Sequence, residues 1–275
     1  MAQQKRMTKI AAGWIGGSIA VLLAALRLSW IASRSSVLPP VTVQSRYDNL
    51  ALGVPGRSDI IIDRAGFSLG YMEKHKQSAW VIYKLTRAEV LARTVKRGSR
   101  FAADPEIPGG SAADADYRHS GLDRGHLAPA ADMAFSERAM AASFYYSNVS
   151  PQHPRFNRGV WKKLEEQVRR FALQEGEIYV AAGPVLPRNN AVAIGPDRVT
   201  VPTHYYKVVY DPTPPRKMIG FILPNRAAGE PLRFFAVTVD AVERVTGLDF
   251  FSLLPKERQE KLESTLTIPA WNWMD

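Results

Sequence analysis

Two short stretches near the middle of the chain carry side chains that could bind a phosphate group and move a proton. In the first, Asp123-Arg124-Gly125-His126, a guanidinium and an imidazole lie two residues apart. Arginine offers planar, permanently charged donors that match phosphate oxygens, and histidine has the ordinary pKa best suited to proton transfer near neutrality. Taken alone the stretch is weak evidence, because a short Arg-Gly-His sequence is more often a surface loop than a catalytic site.

The second stretch, residues 148–152 (NVSPQ), leads into a segment whose apolar residues recur at helical spacing. On a period of about 3.6 residues, Trp161 lies about 40° and Glu165 about 80° around the helix axis from Asn157. An amide oxygen and a carboxylate on one face suit a single hard cation, with Asn157 as direct ligand and Glu165 holding coordinated water. The alternative is that Asn157 caps the helix while Glu165 is a solvated residue that pairs with Arg169.

The composition excludes several classes of protein. The chain has 275 residues and no cysteine, which rules out zinc-finger sites, thiol catalysis and disulfide frameworks. A hydrophobic content of 46% argues against intrinsic disorder, and the length is enough to bury a core without a covalent staple. A formal net charge of +10 suggests an anionic partner such as nucleic acid or a lipid surface.

Half of that excess charge lies in the first 34 residues. Five basic residues stand there with no acidic residue, which leaves 31 basic and 26 acidic residues, or +5, in the whole of the remaining chain. Residues 10–33 are mostly apolar, and 24 residues at a rise of about 1.5 Å can cross a hydrocarbon core of about 30 Å. We therefore predict an N-terminal transmembrane helix, a signal anchor over residues 1–34, with the N-terminus in the cytoplasm. A cleaved signal peptide is the alternative.

Beyond the anchor, the sequence predicts a linker and one domain. Residues 35–55 are rich in Ser and Pro and predict an extended linker, so that the folded domain covers residues 56–275. Within the domain strands dominate, which is typical of an α+β protein with an antiparallel sheet. Strands are predicted over residues 59–63, 78–86, 177–186, 203–211, 217–224 and 233–239, and helices over residues 156–174, 240–246 and 255–264.

The histidines outside the first stretch have structural interpretations. His75, His119 and His153 fall in polar turns and loops, where surface or structural roles are expected. His204 lies in a strand-like segment, VPTHYYKVV, and is predicted to be a hydrogen-bonded core histidine; the alternative is that it packs near the site.

Taken together, the two stretches resemble the DNA/RNA non-specific endonuclease family, the ββα-metal nucleases. The resemblance rests on DRGHLAPAADM at 123–133 and on NVSPQ followed by NRGVWKKLE at 157–165. Supporting segments extend it from GVPG, which begins at Gly53, to TGLDFFSLLP, which ends at Pro255. It implies an α+β, ββα-metal (His-Me finger) nuclease fold, with a central antiparallel sheet flanked by helices.

The resemblance also implies roles for individual residues. His126 matches the general base that deprotonates the attacking water, and Arg124 matches the arginine that binds the phosphate. Asn157 matches the direct protein ligand to Mg²⁺, for which Mn²⁺ can substitute, and Glu165 matches the residue that orients water on the metal. Asp123 matches an acidic residue that orders the same loop.

Further positions complete the implied site. Asn148 and Gln152 match residues that frame the site, and Gln152 is expected to contact the substrate. The resemblance also implies a second phosphate-binding arginine upstream of Arg124, where both Arg97 and Arg100 lie. Arg100 is the residue that we predict for this role.

These assignments predict a membrane-tethered, Mg²⁺-dependent endonuclease that cuts DNA and RNA without preference for the sugar and leaves 5′-phosphate ends. The alternative is a membrane-tethered nucleic-acid-binding or uptake protein without turnover, and a third hypothesis is a phosphodiesterase for a small substrate. The anchor predicts a catalytic domain that faces the periplasm from a bacterial inner membrane; a mitochondrial inner membrane and secretion after signal cleavage are the alternatives. Homodimers are common in the family, so the resemblance also implies a homodimer.

Overall fold

A seven-stranded sheet forms the centre of the domain. The structure, a computed structural model, describes residues 46–92, 94–98, 100–189 and 191–274. The strands of this part of the chain are β1 (Ile60–Arg64), β2 (Phe67–Met72), β3 (Gln77–Thr86), β4 (Asp123–His126), β5 (Val149–Gln152), β6 (Glu177–Pro184), β7 (Ala193–Ile194), β8 (Val199–Thr200), β9 (His204–Asp211), β10 (Lys217–Pro224) and β11 (Ala236–Val237). The large sheet has the order β1-β2-β3-β6-β9-β10-β11, and all its neighbouring strands are antiparallel.

Helices cover both faces of this sheet. The α-helices of the described residues are α1 (Arg87–Ala92), α2 (Asp114–Tyr117), α3 (Glu137–Ser143), α4 (Lys162–Glu175), α5 (Val239–Thr246) and α6 (Lys256–Glu263). Apolar residues of α4 pack in one core cluster with one face of the sheet, whereas α5 packs in a second cluster with the other face. The predicted α+β class with a central antiparallel sheet is therefore confirmed.

The two-residue period of the strands explains why both faces are apolar. In β3, Val81 and Tyr83 belong to the cluster beneath α4, while Trp80 and Ile82 belong to the cluster beneath α5. Successive side chains of a strand point to opposite faces, so a strand buried on both sides is a continuous apolar run. A sheet covered in this way is rigid, and it can hold the loops and helices packed on it in fixed positions.

Most predicted elements are present, but the strand predicted over residues 233–239 is wrong. Residues Leu232–Phe235 form a 3₁₀ turn, and only β11 pairs with β10. Pro231 precedes the turn, and the aromatic pair that suggested a strand is split, since Phe235 is buried while Phe234 is 72% exposed. Strand β2 was not predicted, because Gly70 interrupts its apolar run.

The folded domain begins earlier than the predicted boundary at residue 56. Leu50 and Val54 are buried in the cluster beneath α5, and the backbone amide of Arg46 donates to the carboxylate of Asp63 at 2.7 Å. The last ten residues of the predicted linker are thus part of the domain. The predicted anchor over residues 1–34 lies outside the described residues, and within the described part no helix has the length and apolar character to span a bilayer.

Candidate active site

A two-stranded ribbon and a long helical segment enclose a pocket on the side of the sheet that α4 covers. Strands β4 and β5 pair with Asp123 opposite Gln152 and His126 opposite Val149, and the chain then enters the helical segment that ends in α4. The pocket between them has a volume of about 340 Å³. It is lined by Arg97, Arg124, His126, Pro129, Ala130, Ala131, Asn157, Arg158, Lys162, Glu165 and Arg169. Five of these eleven side chains are cationic, which suits an anionic ligand.

His126 is held as a neutral ring. It is 8% exposed and packs against the rings of Phe101 and Phe144, at centroid distances of 5.3 and 4.9 Å. Burial, together with the positive charge of Arg97, lowers the pKa of His126 to about 3. Its Nε2 atom has no hydrogen-bond partner among the described residues. A neutral imidazole in a fixed orientation is able to accept a proton from a bound reactant.

The side chain of Asn148 binds the backbone of the loop that follows His126 and does not face the pocket. Its Oδ1 accepts from the amide of Ala128 at 2.9 Å, and its Nδ2 donates to the carbonyl oxygens of Ala128 and Ser143, also at 2.9 Å. The side chain is fully buried and does not line the pocket. Asn148 was predicted to frame the site and to take part in catalysis. Because its amide is committed to backbone, it holds the loop after His126 in place, and its part in catalysis stays a prediction.

Gln152 is the second predicted residue that does not reach the pocket. It is fully buried, and neither polar atom of its amide has a partner in the described part of the chain. The side chain lies directly over Gly125, where a Cβ atom would fall 2.1 Å from Gln152 Cδ. The ribbon thus directs this side chain onto its own glycine and away from the pocket, and the substrate contact expected of Gln152 stays a prediction.

Asp123 connects the first strand of the ribbon to the helical segment. Its carboxylate accepts from Asn157 Nδ2 at 2.9 Å and from Arg158 Nε and Nη2 at 2.8 and 2.6 Å. With Nδ2 committed to Asp123, the Oδ1 atom of Asn157 is the side-chain atom left to bind a ligand. This arrangement agrees with the predicted ordering role of Asp123.

The helical segment is not the straight α-helix assumed from the sequence. Residues Phe156–Trp161 are wound as a π-helix, and Gly159 departs from helical geometry with φ −107° and ψ −111°. The predicted angles around a single axis are therefore wrong for Asn157, although both Asn157 and Glu165 line the pocket. Trp161 is fully buried and has a packing role. π-Helical turns of this kind are frequent at functional sites.

Glu165 lines the pocket, and a buried lysine that the sequence analysis missed lies near it. Burial raises the pKa of Glu165 to about 7, and the positive charge of Lys207 opposes that rise. Lys207 is fully buried, its Nζ lies 4.7 Å from the ring centroid of Trp161, and it has no hydrogen-bond acceptor among the described residues. The alternation of β9 puts Lys207 on the same face as Tyr205 and Val209, which belong to the cluster beneath α4.

A second buried pair lies next to Glu165. Arg169 Nη1 is 2.8 Å from Asp132 Oδ1, and the hydroxyl of Tyr83 donates to Asp132 Oδ2 at 2.8 Å. Arg169 therefore pairs with Asp132 rather than with Glu165, which was the alternative considered from the sequence. The carboxylate of Glu165 makes no hydrogen bond within the described residues and is free to bind a ligand.

Arg124 is fixed by neighbours on several sides. Its Nε donates to the hydroxyl of Tyr146 at 2.8 Å, and its Nη2 lies 2.9 Å from Asp114 Oδ1. The hydroxyl of Tyr146 in turn donates to Asp114. The guanidinium carbon lies 5.8 Å from the ring centroids of both Phe101 and Tyr117. Such a preorganised guanidinium loses little conformational entropy when it binds a phosphate.

Arg97, not Arg100, is the second arginine that the structure brings to the site. Both arginines are exposed, but only Arg97 lines the pocket, and its guanidinium carbon lies 5.7 Å from the ring centroid of Phe144. The structure therefore favours Arg97 for the role of second phosphate-binding arginine, and the role of Arg100 stays a prediction. The backbone amide of Ala102 donates to the carbonyl of Phe144, and this tie sets which side chains of the loop face inward.

Sequence reasoning could have found one of the missed residues. A lysine at an inward position of the apolar strand VPTHYYKVV is anomalous, because buried lysines are rare unless they are paired. Asp114 and Tyr146 carry no such local signal, since only the fold brings them to Arg124.

The pocket thus combines arginines that can bind phosphate with a neutral histidine that can accept a proton and two oxygen donors. This combination suits an enzyme that hydrolyses phosphate esters. Residues 46–257 match the family model described as DNA/RNA non-specific endonuclease, and the chain belongs to this family.

Individual relatives agree with this assignment. The chain is 34% identical over 223 residues to the mitochondrial nuclease EXOG of Danio rerio, covering 75% of this chain and 64% of that protein. It is 39% identical over 186 residues to the mitochondrial Nuclease 1 of Schizosaccharomyces pombe, covering 61% and 58%. The chain thus spans less than two thirds of the length of these relatives. For the mitochondrial endonuclease G of Homo sapiens the identity is 34% over 212 residues, covering 72% and 71%.

A solved structure shares the fold. One chain in the crystal structure of the EndoG/EndoGI complex superposes with a TM-score of 0.71 and 32% sequence identity, covering 76% of this chain and 92% of that chain. The family, the sheet and the pocket thus point to the same class of protein.

The role of Asn148 can be tested by replacing it with alanine. Asn148→Ala removes three hydrogen bonds from buried groups, so we expect the free energy of unfolding to fall by about 2–4 kcal/mol in urea titrations. Asn189→Ala, at an exposed position, is the control and should change it by less than about 0.5 kcal/mol. Equal stabilities of the two variants would contradict the positioning role.

Proposed function

We propose that the chain is a divalent-cation-dependent endonuclease that hydrolyses the phosphodiester bonds of DNA and RNA and leaves 5′-phosphate ends. The observation that carries the proposal is that one pocket holds Arg124, His126, Asn157 and Glu165. The two strands of the ribbon and the helical segment that follows them correspond to the ββα-metal arrangement. The absence of a base-reading element from the described lining of the pocket favours recognition through phosphates, which carries no sequence information.

The residues present fit a hard cation. Asn157 offers the amide oxygen that Asp123 leaves unused, and Glu165 offers a carboxylate without a protein partner among the described residues. These are oxygen donors of the kind that Mg²⁺ and Mn²⁺ prefer. Asn157 would hold the ion directly and Glu165 through water. When bound, such an ion stabilises negative charge on the phosphate and on the leaving oxygen.

The side chains of the pocket supply the remaining steps. Arg124 and Arg97 bind the non-bridging oxygens of the scissile phosphate and keep it in one orientation. His126 accepts the proton of the attacking water, and its lowered pKa keeps it neutral and available before the substrate arrives. The negative charge of a bound phosphate opposes the effect of Arg97 and makes the imidazole a stronger base at the moment of reaction.

For the rest of the chain, we propose an anchor over residues 1–34 that tethers the domain to a membrane. The relatives from zebrafish, fission yeast and human are named as mitochondrial proteins, which supports a mitochondrial location over a bacterial one, and the membrane that we propose is therefore the mitochondrial inner membrane. A homodimer remains part of the proposal on the strength of the family resemblance.

Plasmid nicking tests the proposed activity. We expect the wild-type protein to nick supercoiled DNA and to degrade RNA with Mg²⁺ but not with EDTA. His126→Ala should lower the rate by about 10²–10⁴-fold, the usual contribution of a general base. His119→Asn is the control: it replaces an exposed histidine at φ 59° with a residue that tolerates this backbone, and it should keep full activity.

The same assay separates the alternatives. DNA retention without cutting by the wild-type protein would support a binding or uptake protein. Hydrolysis of a small diester without cutting of polymer would support a phosphodiesterase. Equal cutting by wild type and His126→Ala would overturn the proposed mechanism.

Substitutions of the two candidate arginines should have different effects on kcat/KM. Arg97→Ala should lower kcat/KM on a small diester by about tenfold or more, because a charged hydrogen bond to phosphate contributes about 1.5–3 kcal/mol. Arg100→Ala removes the same charge from outside the pocket and should stay within about twofold. A loss for Arg100→Ala larger than that for Arg97→Ala would restore the original prediction from the sequence.

The affinity for the cation should depend on pH through Glu165. Because its pKa is raised to about 7, Glu165 is protonated below that pH, and the proton competes with the cation. Isothermal titration with Mn²⁺ should therefore show weaker binding as pH falls through about 7. Glu165→Gln should bind weakly at every pH, and Lys207→Met should move the midpoint to higher pH. A pH dependence that is identical in wild type and Glu165→Gln would exclude Glu165 as its source.

A further inference from the structure

A group of two arginines and two histidines lies on the surface beside the pocket and takes no part in the mechanism above. His153 and Arg155 precede the helical segment, His204 begins β9, and Arg226 follows β10. All four side chains are exposed. We name these four residues the basic track.

Hydrogen bonds join the three loops that carry the basic track. The backbone amide of His153 donates to Asn225 Oδ1 at 2.8 Å, and the backbone amide of Asn225 donates to the carbonyl of Thr203 at 2.8 Å. Asn225 Nδ2 also donates to the carbonyl oxygens of Pro151 and Pro202. Asn225 therefore holds Arg226, His153 and His204 as one surface whose backbone is already ordered.

The basic track continues into the pocket. Arg155 stands one turn before Arg158, and Arg158 and Lys162 line the pocket wall. The segments that form this flank, residues 151–164, 202–206 and 224–229, contain no acidic residue. The carboxylate of Asp123 is adjacent, but it is already bound to Asn157 and Arg158. Exposed Glu230 directly follows the third segment, and the arginines and lysines of the three segments outnumber it, so the flank keeps a net positive charge.

We propose that the basic track binds backbone phosphates of the nucleic-acid strand on one side of the scissile bond, so that the protein favours polymers over short phosphodiesters. This inference rests on the proposed function, since it extends the same site along the substrate. Arg155 and Arg226 supply two exposed permanent charges next to the cationic pocket, and the two histidines supply ring nitrogens for hydrogen bonds. Such a surface fits a ligand whose charges repeat along a strand. Each phosphate bound in this way contributes affinity and leaves the chemical step unchanged.

Salt dependence gives a quantitative test. Binding of labelled duplex DNA is measured by fluorescence anisotropy in EDTA, across a range of NaCl concentrations. Each lost phosphate contact lowers the slope of log affinity against log salt by about 0.9 on duplex DNA and about 0.7 on single strands. Arg155→Ala/Arg226→Ala should therefore lower the slope on duplex DNA by about two.

A charge-matched control separates this effect from net charge. Arg244 and Arg258 are exposed on α5 and α6, on the opposite face of the sheet from α4. Arg244→Ala/Arg258→Ala removes the same two charges and should leave the slope within experimental error. Equal slopes for the two double variants would overturn the proposal that the basic track binds phosphates.

Kinetics distinguish failure of this inference from failure of the proposed function. With Mg²⁺, Arg155→Ala/Arg226→Ala should raise KM for long DNA by about tenfold or more, while hydrolysis of bis(p-nitrophenyl) phosphate keeps the wild-type rate. If the wild-type protein hydrolyses neither substrate, the proposed function fails. If the wild-type protein hydrolyses both substrates and the double variant has an unchanged KM for long DNA, only the proposed phosphate binding by the basic track fails.

Discussion

The carboxylate of Asp123 is the interaction on which the arrangement of the site depends. It stands at the start of the strand that carries Arg124 and His126, and it holds Asn157 at the start of the helical segment that leads to Glu165. Arg124 and His126 are the groups proposed to bind the phosphate and to deprotonate water. The carboxylate of Asp123 thus sets their distance from Asn157, which would hold a cation. The hydrogen bond from Asn157 Nδ2 also decides which atom of that amide is left for a ligand. Without this link the side chain of Asn157 would not be held against the ribbon.

Behind this link, opposite charges compensate each other. Burying an ionised group is costly unless an opposite charge compensates it, and this happens twice next to the pocket, with Asp132 against Arg169 and with the half-buried Glu165 against Lys207. Burial and positive charge keep His126 neutral. The result is a pocket with a positive field, one neutral base and one carboxylate without a hydrogen bond among the described residues. A phosphodiester and a hard cation complement these features.

Much of this could be predicted from sequence, for physical reasons that also explain the errors. Strands buried on both faces and an amphipathic helix leave periodic signals, and the site residues Arg124 and His126 lie close together in the chain. The orientation of Gln152 could not be predicted, because it depends on which face of a short ribbon packs inward. The choice between Arg97 and Arg100 depends on a loop tied to Phe144 by one backbone bond, and the π-helical winding around Asn157 leaves no periodic signal. His204 was expected in the core, but it begins its strand at the exposed end.

The location of the cation tests the central claim most directly. The described residues contain one other cluster of ligand type, Asp240, Glu243 and Glu263 on α5 and α6, far along the chain from the ribbon. Anomalous diffraction from crystals grown with Mn²⁺ should show a peak at a direct coordination distance of about 2.1 Å from Asn157 Oδ1, with Glu165 facing it across water. The peak should vanish in Asn157→Ala crystals. A peak at the acidic cluster with none in the pocket would contradict the account.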